Sequence, residues 1–457
     1  MPGWRRSRAP AARPLMLALA LQLAACASPG PAPEKRHSAA ELQRYQPSDF
    51  RWAPAADAAE RAMLADEQAR QRARVARLQR GEAAALAELP AALASAAQFN
   101  LEIEALRAPL LAALPGVAQQ APDTQRALLT AAYALYAPAA APLLWPLLPS
   151  LQRPREYAIA AYTLLKAQPE LAGALRAQTE AQFPPWREEP RLRALMASLG
   201  PPAAAHPPLP ELLAAPLRPG YPVVFSLQRP SRGQLGLALV RGPDGRFVRE
   251  PDGRLFAVPQ LALSRSGLPG TISMGNTPQG LFTLRGAGTA TNPWIGPTPY
   301  LHTMLPVEAT PAEFEHAAGP VLQPAQPWSE ALYESFLPPA WAAYGPFKEA
   351  WLAGLAGRDE ILMHGNTLNP GYYPGAAYAP AVPQAGCLVA AEYWDAADGR
   401  LLRSDQLRLA KAFTRSGAEH GYLAVVNLED DGARAVTLDE VLPLVLQAEQ
   451  KYLQGKN

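Results

Sequence analysis

The chain has 457 residues, 49% of them hydrophobic, with 51 prolines and only two cysteines. That length and apolar fraction suit two domains with a sizeable core. Lys and Arg number 42 against 40 Asp and Glu, and a formal charge of +2 gives no field that would attract nucleic acid.

The N-terminus carries an export signal. Arg5, Arg6, Arg8 and Arg13 precede an apolar stretch from Leu15 to Leu23, interrupted only by Gln22. Nine residues are too few to cross a bilayer, which takes about 20 in a helix, but they match the apolar core of a signal peptide. Leu23-Ala24-Ala25-Cys26 resembles a bacterial lipobox. The resemblance implies a signal peptide over 1–25, lipidation of Cys26, and a lipidated tether over 26–38 that holds the chain to a membrane. Ala27 in place of Asp implies sorting to the outer membrane, facing the periplasm.

From 39 to 199 the sequence is rich in Ala, Leu, Arg and Glu at helical spacing. The pattern predicts a long helix over 55–89, broken near Gly81, then shorter ones over 101–120, 123–135, 138–151, 154–166, 170–183 and 189–199. Arg126–Leu135 and Glu156–Leu165 look alike, which suits stacked helical pairs of HEAT-like type or a plain bundle. Such a domain is a spacer, or offers a face to a protein partner. The Pro-rich stretch 200–220 reads as a stiff linker.

Beyond it the period changes. Val223–Leu227, Leu235–Val240, Phe247–Arg249, Leu255–Val258, Gly280–Arg285 and Tyr422–Leu428 read as strands, with hairpin signals at Gly242-Pro-Asp-Gly245 and Asp252-Gly253. An aromatic-rich insertion over 285–360 is either a lid or a satellite core. A helix follows at 404–416, and the chain ends in a helix within 431–457. The expected fold class is α+β multidomain: an all-α region, then a β-rich domain over 221–430 with added helices.

If Cys26 is lipidated, Cys387 is left without a partner in an oxidising compartment, a liability unless the thiol is buried or used. A free cysteine is commonly a small core hydrophobe. Paired with a histidine it becomes a nucleophile and its base, and His364 lies 23 positions upstream. His37, His206, His316 and His420 have no companions at metal-ligand spacing, so no metal and no cofactor are expected.

Three segments together resemble the L,D-transpeptidase catalytic (YkuD-like) family: Asn276-Thr277-Pro278-Gln279-Gly280-Leu281-Phe282, Ile361-Leu-Met-His364-Gly365-Asn366 and Gly386-Cys387-Leu388. The resemblance implies a thiol-dependent acyltransferase of cell-wall biogenesis and cell shape, acting on peptidoglycan stem peptides. Cys387 would carry a thioester, and His364 would serve as base and acid, first stabilising the thiolate as an ion pair. Gly365 would fix the imidazole tautomer through its carbonyl. The Gly386–Cys387 amides would form the oxyanion site. Asn366, Gln384, Tyr372 and Tyr373 are the candidate substrate contacts, the tyrosines lying in an aromatic loop that either lines a groove or packs on itself. Gln384, Ala385 and Val389 depart from the family pattern, which usually has Arg at the last of these positions. That keeps a carboxypeptidase or related hydrolase open as the alternative, with a non-catalytic lipid-anchored scaffold as a third reading.

Overall fold

The computed structural model describes residues 35–201, 205–316, 326–429 and 434–454. The expected signal peptide, Cys26 and most of the expected tether lie outside the described residues. In chain order the helices are α1 (Ala39–Arg44), α2 (Asp57–Gln79), α3 (Leu89–Phe99), α4 (Ile103–Ala113), α5 (Pro122–Leu135), α6 (Ala137–Leu147), α7 (Pro154–Ala167), α8 (Ala172–Gln182), α9 (Pro190–Ser198) and α10 (Leu209–Ala214). After these come α11 (Pro311–Glu315), α12 (Glu330–Glu334), α13 (Pro339–Ala343), α14 (Glu349–Leu355), α15 (Asp405–Phe413) and α16 (Leu438–Gln454). The strands are β1 (Lys35–His37), β2 (Val223–Gln228), β3 (Gly236–Arg241), β4 (Val258–Leu261), β5 (Gly280–Thr289), β6 (Tyr300–Met304), β7 (Met363–His364), β8 (Leu388–Ala390), β9 (Glu392–Trp394), β10 (Leu401–Ser404) and β11 (His420–Asn427). The protein is α+β, a helical region followed by a barrel-like sheet.

Proline starts α5, α7 and α9, where its missing N–H costs nothing. The carboxylate of Glu189 caps α9 by accepting from the Arg191 and Leu192 amides at 2.8 and 3.0 Å. Gly81, at φ +70°, stands two residues past the end of α2, where the sequence predicted a break. Helix α7 is buried from Glu156 to Leu164, and α5, α6 and α9 pack around it. The two look-alike segments are thus neighbours in one core.

The sheet runs β5-β11-β2-β3-β4-β8-β7-β6 and closes where β6 pairs β5 again. Closure needs β5 to bend. Its register with β6 shifts between Leu284 and Ala287, around Gly286 at φ +87°. Two neighbouring pairs are parallel, β11 with β2 and β7 with β8. One side of the barrel buries Phe225, Leu281 and Tyr422 against α10, α16 and the aromatic segment. The other buries Val224, Phe282 and Leu423 against α1 and α15.

Several predicted boundaries shift. The end of the tether, Lys35–His37, is a strand on β5, and Leu42 of α1 lies in the barrel core. Phe50 packs with Leu401 and Leu407. Residues 39 to about 56 therefore go with the barrel, and the helical region begins near α2. The expected linker contains α10, whose Leu209, Leu212 and Leu213 are core residues, because amphipathic Leu-Pro-Glu-Leu-Leu outweighs the prolines around it. The expected insertion 285–360 contains β6 and half of β5. Its Tyr333, Phe336, Trp341, Phe347 and Trp351 are core, as the satellite-core reading had it, but in the main barrel cluster rather than a separate one. The halves also share packing: Leu268 and Ile272 join the helical core, and Arg193 pairs with Glu330 at 3.0 Å.

Gly280 opens β5 at φ +133°, and a Cβ there would sit 2.7 Å from Ala350 Cβ and from the Phe347 carbonyl oxygen. Gly280→Ala combines backbone strain with overpacking, so it should cost about 3 kcal/mol in urea denaturation. A loss below ~0.5 kcal/mol would show that β5 is not held as described.

Candidate functional site

The nucleophile candidate and its base candidate sit on the parallel pair β7–β8. Met363 lies opposite Leu388 and His364 opposite Val389. The amide of Leu388 donates to Leu362 O at 2.8 Å, which carries the register back to Cys387. Alternation along each strand then puts Cys387, Val389, Leu362 and His364 on one face. His364 and Cys387 are diagonal neighbours there, about 8 Å apart at Cα from strand spacing and rise.

Cys387 is 6% exposed. Its thiol donates toward Glu360 O at 3.7 Å, up-strand and away from His364. Burial pushes the thiol's pKa up. The Leu362 backbone N–H and the guanidinium of Arg358 pull it down, Glu360 raises it, and Arg265 lowers it more weakly. The turn before it is braced by glycine geometry. Gly386 has φ +113°, a Cβ there would overlap the Arg358 guanidinium, and Thr277 Oγ1 donates to Gly386 O at 2.8 Å.

His364 is 1% exposed, with Nδ1 2.6 Å from Gly365 O, the carbonyl named above as the orienting acceptor. Burial lowers its pKa to about 4, against a smaller raising effect of the Gly365 carbonyl. Gly365 itself makes room for the carboxyl of Glu392, which fills the volume a Cβ would take. Burial pushes Glu392 up to about 7. Beside the sulfur, Glu360 adopts a left-handed φ of 52°, and its N–H donates to Glu308 at 3.0 Å. Glu308 too is pushed up by burial, to about 7.

These shifts run against the ion pair that the resemblance implied. Both partners are desolvated, which disfavours thiolate and imidazolium alike, so the resting pair is a neutral thiol and a neutral imidazole. The candidate substrate contacts are engaged within the protein. Asn366 is 2% exposed and spends its amide on Leu368 O and Pro380 O at 3.0 and 3.2 Å, tying the ends of the aromatic loop together. Tyr372 donates to Glu60 at 3.1 Å, and Tyr373 to Gln98 O at 2.8 Å. Those hydroxyls hold helices α2 and α3 rather than facing a groove. Gln384 is 5% exposed, its backbone oxygen accepting from Arg265 N at 2.8 Å.

The helical region thereby clamps the loop between His364 and Cys387. Phe99 stands edge-on to Tyr372 and Trp294, with ring centroids 5.4 and 6.1 Å away, and Leu368 and Val382 complete the cluster. Glu60 also accepts from Asn369 Nδ2 at 2.7 Å. The residues that sequence reasoning singled out, Cys387, His364, Gly365 and Gly386, fall together at this corner of the sheet. That reasoning missed Arg358 and Glu392, which reach the site by tertiary folding from positions with no motif, and the Leu362 amide, which acts through its backbone inside the His364 motif.

Among the described residues no group of three or more His, Cys, Asp or Glu is arranged to hold a metal, and no helix is long and apolar enough to cross a membrane. Comparison with family models, curated proteins and solved structures returns no match.

Two outcomes follow. Glu60→Ala combined with Phe99→Ala removes two hydrogen bonds and an aromatic anchor from the loop. Iodoacetamide should then label Cys387 at least tenfold faster, since loosening a closed state by about 1.4 kcal/mol raises the open population tenfold. An unchanged rate would mean that the clamp does not cover the thiol. Separately, an unfolded histidine binds a proton near pH 6.5, whereas folded His364 binds one only near 4. The unfolded state holds the extra proton in that window, so stability falls as pH drops through it. Relative to His364→Gln, wild type should lose about 3 kcal/mol between pH 7 and 4 by urea denaturation. A pH-independent difference would contradict a buried neutral imidazole.

Proposed function

We propose that the protein is a cysteine-dependent acyltransferase of the L,D-transpeptidase kind, acting on peptidoglycan stem peptides. The observation that carries this reading is the register of β7 and β8, which puts one thiol and one imidazole on the same sheet face beside a Gly-Cys turn. The three motifs of the sequence fall on the elements that build this corner. Asn276–Phe282 feeds β5 and braces Gly386 through Thr277, Ile361–Asn366 carries β7, and Gly386–Leu388 opens β8.

The chemistry starts from neutral partners. Opening of the 366–384 loop hydrates the imidazole and lets its pKa return toward 6.5. The sulfur turns from Glu360 O toward His364, which takes the thiol proton as sulfur attacks the donor carbonyl. The scissile C–N bond of the tetrapeptide donor breaks, His364 returns the proton to the leaving D-Ala amine, and an acyl thioester remains on Cys387. An acceptor amine then attacks the thioester, His364 takes its proton, and the thiol is regenerated with a new amide as product. Water in place of the amine gives hydrolysis, the carboxypeptidase alternative. We place this activity at the cell envelope, on a chain anchored by lipid on Cys26 and facing the periplasm. The helical region is the surface for a protein partner that would relieve the clamp.

Incubation with muropeptides, wild type beside Cys387→Ala, tests the reading by mass spectrometry of the products. Cross-linked dimers formed only by wild type are expected. Trimmed stems alone would move the assignment to the hydrolase. No product from a protein whose loop has been freed by Glu60→Ala and Phe99→Ala would leave the non-catalytic scaffold.

A further inference from the structure

A fixed charge beside the turn that carries the nucleophile comes from a residue that no motif marks. Arg358 follows α14, is 5% exposed, and lies against the turn that carries Cys387. Its Nη1 donates to Gly270 O and to Asn276 O, the latter at 2.6 Å, and its Nη2 donates to Gly275 O at 2.8 Å. The guanidinium therefore ties the 270–276 loop together while its edge fills the volume that a Cβ at Gly386 would need. The same loop continues into Thr277, which holds Gly386 O. Position 389, two residues past the thiol, is an uncharged valine.

Other charged groups face this corner, among them the buried guanidinium of Arg232, which donates to Thr277 O at 3.1 Å. Arg265 is the second cation whose charge reaches the sulfur, and Glu360 opposes both. His364 shares the sheet face but is neutral when buried. On the far side of Arg358 stands the buried carboxyl of Glu349, which accepts from the Gly270 and Gln279 amides at 3.0 Å each, and Asp359 adjoins Arg358 in the chain. Burial raises Glu349, which weakens it as a counter-charge.

We propose that Arg358 is a positioning residue for the nucleophile, locking the Gly386–Cys387 turn and supplying the permanent positive charge toward which the thiolate forms. The inference rests on the reading of Cys387 as nucleophile. It assigns the charge that the imidazole does not provide in the closed state to a guanidinium that cannot lose its proton. Charge and bracing are separable. Arg358→Gln loses the charge and, being two bonds shorter, the Nη contacts to the loop carbonyls as well. Arg358→Lys keeps the charge and loses the planar fork.

The test is the pH dependence of iodoacetamide labelling of Cys387 in the full chain, with thermal melts to confirm folding. The midpoint should rise by about one pH unit in Arg358→Gln and stay near wild type in Arg358→Lys, since a nearby positive charge lowers an acid by roughly 1–3 units. Equal midpoints for Arg358→Gln and wild type in folded protein would overturn the proposal. So would an Arg358→Lys midpoint as high as that of Arg358→Gln, which is the mark of a bracing role alone. If Arg358→Gln does not fold, Arg265→Gln decides the electrostatic part. It should raise the midpoint by less than a unit, and no change would overturn the claim that fixed cations tune this thiol. Labelling needs no peptidoglycan. A normal Arg358 dependence with inert muropeptides would sink the transpeptidase reading alone, and active enzyme with no Arg358 dependence would sink this inference alone.

Discussion

The site depends on one parallel strand pair. Short strands β7 and β8 are held in register by the Leu388 amide on Leu362 O and by the pairing of His364 with Val389. A slip of one residue would send either Cys387 or His364 to the opposite face, because side chains alternate with period two. So short a pair cannot enforce its own register. That comes from the barrel around it, where β4 flanks β8 and β6 flanks β7, and from Gln406, whose amide donates to Met363 O at 2.9 Å.

Burial governs the chemical state of that corner. Thiol, imidazole and the carboxyls of Glu392 and Glu308 are all driven toward their neutral forms, the common response of ionisable groups deprived of water. The aromatic loop packs Ala381 and Tyr378 on Val389, the strand partner of His364, and the loop is held by α2 and α3. The proposed mechanism links structure to protonation: freeing Tyr372 and Tyr373 from the helices would return water to His364. The helical region contributes to the state of the site without contributing a reactive group.

Much of this was legible in the sequence. Helices α5, α7, α8 and α9 lie within two residues of their predicted bounds, because proline and glycine punctuate an Ala-Leu pattern strongly. Strands β2, β3 and β11 are apolar runs bounded by turn residues and were equally clear. The hairpin glycines 245 and 253 take the positive φ their turns require. The less legible parts were those decided by tertiary packing. Tyr300–Met304 carries too few residues to announce a barrel strand, Lys35–His37 pairs β5 from a distance of 250 positions, and Leu209–Ala214 hides a core helix among prolines. At the site, cysteine and histidine were visible as residue types with spacing. Arg358 and Glu392 were not, since a buried charge announces itself only when the residues around it are known. The protonation of that pair was not legible for the same reason: spacing suggests proximity, and desolvation, which shifts protonation, is a property of the folded chain.

The central claim is that sulfur 387 and imidazole 364 work as one unit once the loop lifts. The most direct measurement is the intact mass of the protein after brief exposure to a tetrapeptide donor and an acid quench. The account predicts an acyl thioester on Cys387 in wild type, slower in His364→Ala by at least a hundredfold and lost in Cys387→Ala. Acylation at another residue, or wild-type rates in His364→Ala, would contradict it.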